Sequence, residues 1–168
     1  MNEANIDNMP LELRPPSAED GAAVFRLIAE CAPLDPNSLY CNLLQCSHFA
    51  ATSVAAVYGD KLAGFISGYL LPEHQDTLFV WQVAVSQNAR GKGLAKQMLG
   101  HILARPKCNK VRYLETTITE TNQASWALFQ GLAHKLDCEL KSSTLFERER
   151  HFNNVHDTEM LVRIGPIG

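Results

Sequence analysis

The stretch from Leu78 to Leu103 constrains this chain most. Leu78 to Val85 is an apolar run that reads as a buried strand, and Ser86 to Ala89 is a short polar turn. Arg90-Gly91-Lys92-Gly93-Leu94-Ala95 follows, and Leu94, Ala95, Met98, Leu99, Ile102 and Leu103 then recur at helical spacing. A strand thus feeds a glycine-rich turn that opens an amphipathic helix. The free N–H groups of a helix's first turn converge on one spot, and the helix dipole favours an anion there. Gly91 and Gly93 let the backbone close around a phosphate with no Cβ in the way, while Arg90 and Lys92 add positive charge. Two common phosphate motifs do not fit. Lys96 stands where a dinucleotide fingerprint needs a third small residue. Lys92 is followed by Gly93, where a nucleoside-triphosphate loop needs Ser or Thr. The plainer alternative is a tight strand-to-helix connection with no ligand.

With 168 residues, 46% of them hydrophobic, the chain can bury one sizeable core. Residues 11–168 are expected to form a single domain behind a flexible leader at residues 1–10, which is polar and acidic and lacks a secretory signal pattern. The net charge of −3 and the absence of a basic cluster argue against a nucleic-acid partner. No apolar run is long enough for a membrane span, so no membrane partner is expected. Cys31, Cys41, Cys46, Cys108 and Cys138 form an odd set without a C-x-x-C pair, which suggests reduced thiols and a cytoplasmic location. The scattered histidines, His151 and His156 included, give no zinc signature, and no metal is expected.

Along the chain, Leu11 to Arg14 reads as a first strand and Ser17-x-x-Asp20 as an acidic helix start, followed by a stripe of Val24, Leu27, Ile28 and Cys31 that Pro33 stops. Asp35 to Phe49 holds a short helix. Thr52 to Tyr58 and Lys61 to Leu70 form a hairpin about Gly59-Asp60, and Pro72 to Asp76 is a loop. After the helix that ends at Arg105-Pro106, Val111 to Ile118 is a strand rich in β-branched residues. A helix carrying Trp126, Leu128, Phe129 and Leu132 comes next, then strands at Leu140 to Phe146 and Glu159 to Ile164 around the polar Glu147 to Val155. The order β-α-α-β-β-β-α-β-α-β-β predicts an α/β fold, with a mixed central sheet of about six to seven strands and helices on both faces.

Arg-x-x-Gly-x-Ala at Arg90, Gly93 and Ala95, together with Asn122-x-x-Ser125-x-x-Leu128-Phe129, resembles the GCN5-related N-acetyltransferase (GNAT) superfamily. That resemblance implies the acyl-CoA N-acyltransferase fold and acetyl-CoA as co-substrate. The implied cofactor contacts are Val83, Val85, Arg90, Gly91, Lys92, Gly93, Leu94, Ala95, Asn122, Ser125 and Phe129, with a backbone N–H near Val83 as oxyanion donor. The superfamily often has a proton-donating Tyr where this chain has Phe129, which has no proton to give. Asn122 also reads as a helix cap, and the two roles are compatible.

Narrower blocks also match: Pro33-Leu34-Asp35-Pro36-Asn37-Ser38, Tyr40, Phe65-Ile66-Ser67, Thr77 to Val85, Leu114-Glu115-Thr116-Thr117, His151-Phe152, His156 and Arg163-Ile164-Gly165-Pro166. Together they resemble the L-2,4-diaminobutyrate acetyltransferases of ectoine biosynthesis. The resemblance implies acetyl transfer to the γ-amine of the small-molecule substrate L-2,4-diaminobutyrate, and a homodimer. That acceptor carries two ammonium groups and one carboxylate, so its pocket needs acids. Asp35, Glu115, Asp157 and Glu159 are the candidates. Glu115 is the sharpest, a charge amid a strand otherwise apolar and β-branched, and is the expected base; pairing with a neighbouring Arg or Lys is its structural alternative. Asp35 reads as a substrate ligand or a turn residue. Trp81 reads as a wall for the substrate's methylenes or as core, Tyr40 as a substrate contact, lid or proton donor, and His156 as a ligand for the carboxylate or a solvated loop residue. Two rival functions stay open: a GNAT enzyme for another small amine, such as a polyamine or aminoglycoside, and a non-catalytic CoA-binding module.

Overall fold

The computed structural model describes residues 6–168. Eleven regular elements follow the expected order. They are β1 (Leu11–Arg14), α1 (Gly21–Glu30), α2 (Leu39–Ser47), β2 (Val54–Tyr58), β3 (Lys61–Leu71), β4 (His74–Val85), α3 (Leu94–Leu103), β5 (Tyr113–Thr119), α4 (Gln123–Lys135), β6 (Glu139–Phe146) and β7 (Glu159–Gly165). The strands are ordered β1-β2-β3-β4-β5-β7-β6 in one seven-stranded sheet. The β4–β5 pair is parallel, and the β1–β2, β2–β3, β5–β7 and β6–β7 pairs are antiparallel. This is the mixed α/β sheet that the element order implies.

Several boundaries differ from the sequence reading. β2 begins at Val54 rather than Thr52, which closes the 3-10 turn Ala50–Thr52. β4 begins at His74, so the expected loop of Pro72 to Asp76 shrinks to a turn at Pro72-Glu73. His74, Gln75 and Asp76 are exposed, and a polar start to a strand leaves no apolar periodicity to detect. β5 starts at Tyr113 rather than Val111. The leader expected at residues 1–10 falls partly on residues 1–5, which lie outside the described residues. Within the rest of it, Ile6–Asn8 forms a 3-10 turn with Ile6 buried.

The chain packs as two compact units. The first holds residues up to Tyr69 together with Gln82–Asn109. Its core gathers Val24, Leu27, Ile28 and Cys31 of the α1 stripe with Cys46, Phe65 and Ala84. Burying side chains such as Leu27 or Phe65 stabilises by roughly 1.5–3 kcal/mol each. Local chemistry starts α2 and the 3-10 turn, Ala18–Asp20, that leads into α1. The Ser17 N–H donates to Asp20, whose carboxylate also takes two hydrogen bonds from Arg14 at 2.8 and 2.9 Å. Ser38 caps α2 by accepting from the Cys41 N–H at 3.0 Å.

The second unit holds Leu70–Trp81 and Lys110–Gly168. Strand alternation sorts its side chains by face. Leu114 and Ile118 of β5 and Val162 and Ile164 of β7 are buried on one face. Tyr113, Glu115 and Thr117 lie on the other, registered against Arg163 and Leu161.

Candidate active site

The glycine turn belongs to the first unit. Ser86 is pinned to β3 by donating its N–H to the Ala63 carbonyl at 2.8 Å, and the following 3-10 turn, Gln87–Ala89, buries Ala89. Gly91 and Gly93 then adopt φ values of +77° and +72°, the left-handed region where a Cβ is costly. Gly93 is the N-cap of α3 and brings no side chain, so no side-chain oxygen caps the helix's first N–H groups. A Cβ built on Gly91 or Gly93 meets nothing within 4 Å. Uncapped donors with a clear approach fit an anion such as a pyrophosphate. The two flanking cations are engaged differently. Arg90 donates Nε to the Val85 carbonyl at 3.1 Å, and Lys92 pairs with Asp7.

The strand entering this turn carries the expected oxyanion donor. Gln82 N–H donates to Ser67 Oγ of β3 at 3.2 Å. Because successive N–H groups of a strand alternate in direction, the Val83 N–H points to the opposite edge. On that edge the ladder with β5 runs from Thr77↔Tyr113 to Val80↔Thr116 and then stops, whereas β4 continues to Val85. Thr116 Oγ1 closes the ladder's end by donating to the Val80 carbonyl at 2.9 Å.

Asp35 and Tyr40 also belong to the first unit. Asp35 is exposed and its carbonyl accepts from Gln82 Nε2 at 3.3 Å. Tyr40, in the first turn of α2, is 70% exposed. Beside it, the Cys41 thiol is pushed up by burial, and burial pushes the Cys46 thiol up to about 11.

The second unit brings the remaining acceptor candidates together. Phe79 is registered beside Glu115, so Phe79 and Trp81 share the face that bears Glu115, Thr117, Leu161 and Arg163, with Glu159 opposite Thr119 at its end. Trp81 is 42% exposed and Glu115 only 7%. Glu115 Oε2 makes no hydrogen bond but lies 3.4 Å from Arg163 Nη1. The Arg163 guanidinium in turn sits 3.7 Å above the Tyr113 ring. The ion-pair partner weighed from sequence is therefore present, and it is Arg163. His156 stacks on Phe152 at 4.5 Å, places Nδ1 2.6 Å from the Asp157 carbonyl, and holds Nε2 3.7 Å from Glu159 Oε1. Asp157 pairs with Arg148 at 3.0 Å. Asn122 caps α4 by accepting from the Ser125 N–H at 3.2 Å, and Phe129 is 2% exposed.

Two residues enter the sequence reading only inside longer blocks, without a role of their own. Arg163 could have been found from β7 alternation, which puts it on the face of Glu159. Gln82 is a lone amide inside an apolar strand, the same signal that singled out Glu115. Among the described residues no cluster of three metal-ligating side chains occurs, and no helix is long and apolar enough to cross a membrane.

The acetyltransferase (GNAT) family model matches residues 21–133, and the chain belongs to that family. Its relatives are more particular. The chain is 60% identical over 157 residues to the L-2,4-diaminobutyric acid acetyltransferase of Methylotuvimicrobium alcaliphilum, covering 94% of this chain and 91% of that protein. It is 52% identical over 156 residues to the same enzyme of Vibrio cholerae, covering 93% and 90%. Among solved structures it superposes with a TM-score of 0.91, at 36% identity, on the diaminobutyrate acetyltransferase EctA of Paenibacillus lautus in complex with L-2,4-diaminobutyric acid and coenzyme A; 96% of this chain and 98% of that one are covered.

Proposed function

We propose that this enzyme transfers the acetyl group of acetyl-CoA to the 4-amino group of L-2,4-diaminobutyrate, as its relatives' names indicate for them. The observation that carries this reading is the face of β4, β5 and β7 on which Trp81 lies with Glu115 and Glu159. A dication with a short methylene stem needs carboxylates and an apolar wall. Acetyl-CoA supplies the activated thioester. Its pyrophosphate is assigned to the α3 N-terminus and the Arg90–Ala95 turn, with Val83, Val85, Asn122, Ser125 and Phe129 along the rest of the cofactor. Glu115 takes a proton from the γ-ammonium, since an ammonium has no lone pair with which to attack. The neutral amine attacks the thioester carbonyl, and the Val83 N–H holds the oxyanion. Asp35 and His156 orient the α-amine and carboxylate, and Trp81 shields the stem. As the intermediate collapses the C–S bond breaks, and the proton lost by the attacking nitrogen passes through Tyr40 or water to the departing thiolate, leaving the neutral amide and the free thiol. The Arg163 contact favours a second reading of Glu115, in which the carboxylate only balances the guanidinium; the Glu115→Gln variant in the Discussion separates the two.

Residues 11–168 work as one catalytic domain in this reading, supported by a family match over residues 21–133 that includes parts of both compact units. A cytoplasmic homodimer is part of the same proposal. The exposed edge strand β6, with Leu145 and Phe146 at the surface, supports self-association.

Thiol release from acetyl-CoA with a panel of amines, and NMR of the product, tests the reading. The expected product is N(γ)-acetyl-2,4-diaminobutyrate. Putrescine, which lacks the carboxylate, is expected to be about 10⁴-fold poorer. Comparable turnover of putrescine moves the assignment to a polyamine acetyltransferase, and cofactor binding without thiol release for any amine moves it to a binding module.

A further inference from the structure

We propose that Gln82 is a positioning residue: through a buried relay of carboxamides it sets where the Asp35–Tyr40 segment stands relative to the Val83 N–H. The inference rests on the acceptor role proposed for Asp35 and Tyr40. Its basis is a continuous chain of hydrogen bonds within the first unit. Asn42 Nδ2 donates to Gln45 Oε1 at 3.0 Å, Gln45 Nε2 donates to Gln82 Oε1 at 3.3 Å, and Gln82 Nε2 donates to the Asp35 carbonyl at 3.3 Å. The Gln82 backbone N–H is held by Ser67 Oγ at 3.2 Å. Asn42 and Gln45 are fully buried and Gln82 is 6% exposed.

Amides so deeply buried do not serve packing alone, because apolar side chains would fill the same space without the cost of desolvation. A network of this kind selects one geometry, since shifting any member leaves a buried polar atom unpaired. The geometry selected here joins three pieces. Gln82 lies one residue before Val83 on β4. Asn42 and Gln45 lie on α2, whose first turn carries Tyr40. Asp35 begins the loop that enters α2. Gln82 needs both halves of its amide at once, the oxygen for α2 and the nitrogen for the Asp35 carbonyl. No apolar or purely accepting side chain of this size offers both. Asn42 Oδ1 makes no hydrogen bond, so the relay ends there and is anchored at its β4 end.

The test compares Gln82→Leu, Gln82→Glu and Gln45→Leu, each with thermal melting to establish folding. Gln82→Glu keeps the acceptor for Gln45 but loses the donor to Asp35. All three are expected to raise the KM for the amine by about tenfold while the acetyl-CoA Kd stays within about twofold. Amide hydrogen exchange over residues 34–42 is expected to quicken in all three. The double variant of Gln45→Leu and Gln82→Leu is expected to raise KM no further than the larger single change, because one relay is being cut twice. The amine used is whichever the wild type turns over best, so a failure with diaminobutyrate counts against the functional reading and not against the relay. An amine KM within about twofold of wild type in a folded variant overturns the proposal, as does an effect confined to acetyl-CoA. If Gln82→Leu does not fold, Gln45→Leu decides. If the wild type turns over no amine, unchanged exchange across residues 34–42 overturns the relay.

Discussion

Gly93 separates backbone conformation from ligand contact in one residue. At φ +72° an alanine is strained, by about 1–2 kcal/mol for a left-handed residue. Nothing stands within 4 Å of the added Cβ, so no steric term adds to that figure. In a chain of 168 residues this predicts a fall in melting temperature of roughly 2–8 °C for Gly93→Ala. Gly93→Val should fall further, since a β-branched side chain tolerates the conformation less well. Gly93→Asn should fall least, because asparagine enters the left-handed region most readily after glycine. Acetyl-CoA affinity should not follow that order. With the pyrophosphate at the first turn of α3, as proposed, any side chain at Gly93 would stand in its way, so Asn, Ala and Val should each lose tenfold or more, about 1.4 kcal/mol or above. Differential scanning fluorimetry and calorimetric titration of acetyl-CoA read the two quantities independently. If Gly93→Asn and Gly93→Val bind acetyl-CoA as wild type does, the turn is only a connection and the pyrophosphate assignment fails. If affinity simply tracks melting temperature, the glycine serves conformation and not close approach.

Glu115→Gln should lower kcat/KM by ~10²-fold or more if the carboxylate is the base; activity within threefold of wild type would leave only its pairing with Arg163. Asp20→Asn removes the charge and turns one of the two oxygens that accept from Arg14 and the Ser17 N–H into a donor, and should destabilise by about 1–2 kcal/mol at neutral pH. The Arg14 hydrogen bonds hold the Asp20 carboxyl below the usual range, so this stability is present above the ordinary carboxylate pKa and is lost as pH falls through the lower folded value. Urea melts of both proteins should therefore differ at pH 7 and converge in acid, and a gap that widened in acid would refute the pairing. Cys41→Ala should keep most activity with intersecting initial-rate plots, since burial raises its thiol away from the reactive thiolate. Trapping an acetylated Cys41 in the absence of acceptor would defeat direct transfer.

What the sequence determined by itself was chemistry between chain neighbours. The strand, the glycine turn and the helix from Leu78 to Leu103 follow from apolar spacing and from two glycines, and Gly91 and Gly93 adopt the positive φ that such a turn requires. The Ser17–Asp20 contact ahead of α1 and the Asn122 cap of α4 came from spacings of three residues in the same way, and the element order from apolar runs and their periods. Glu115 was legible as an anomaly, because a charge in an apolar strand needs no partner to be noticed. Its partner was not legible. Arg163 meets it only through the β5–β7 register, which no local pattern encodes. The same holds for the relay, whose amides bridge 37 and 47 residues of sequence. It holds too for the polar start of β4, His74 to Asp76, which belongs to a strand next to β3 although its composition shows no apolar alternation. Periodicity reports which face of an element is buried; only the tertiary structure decides which distant side chain that face, or its one buried polar group, will meet.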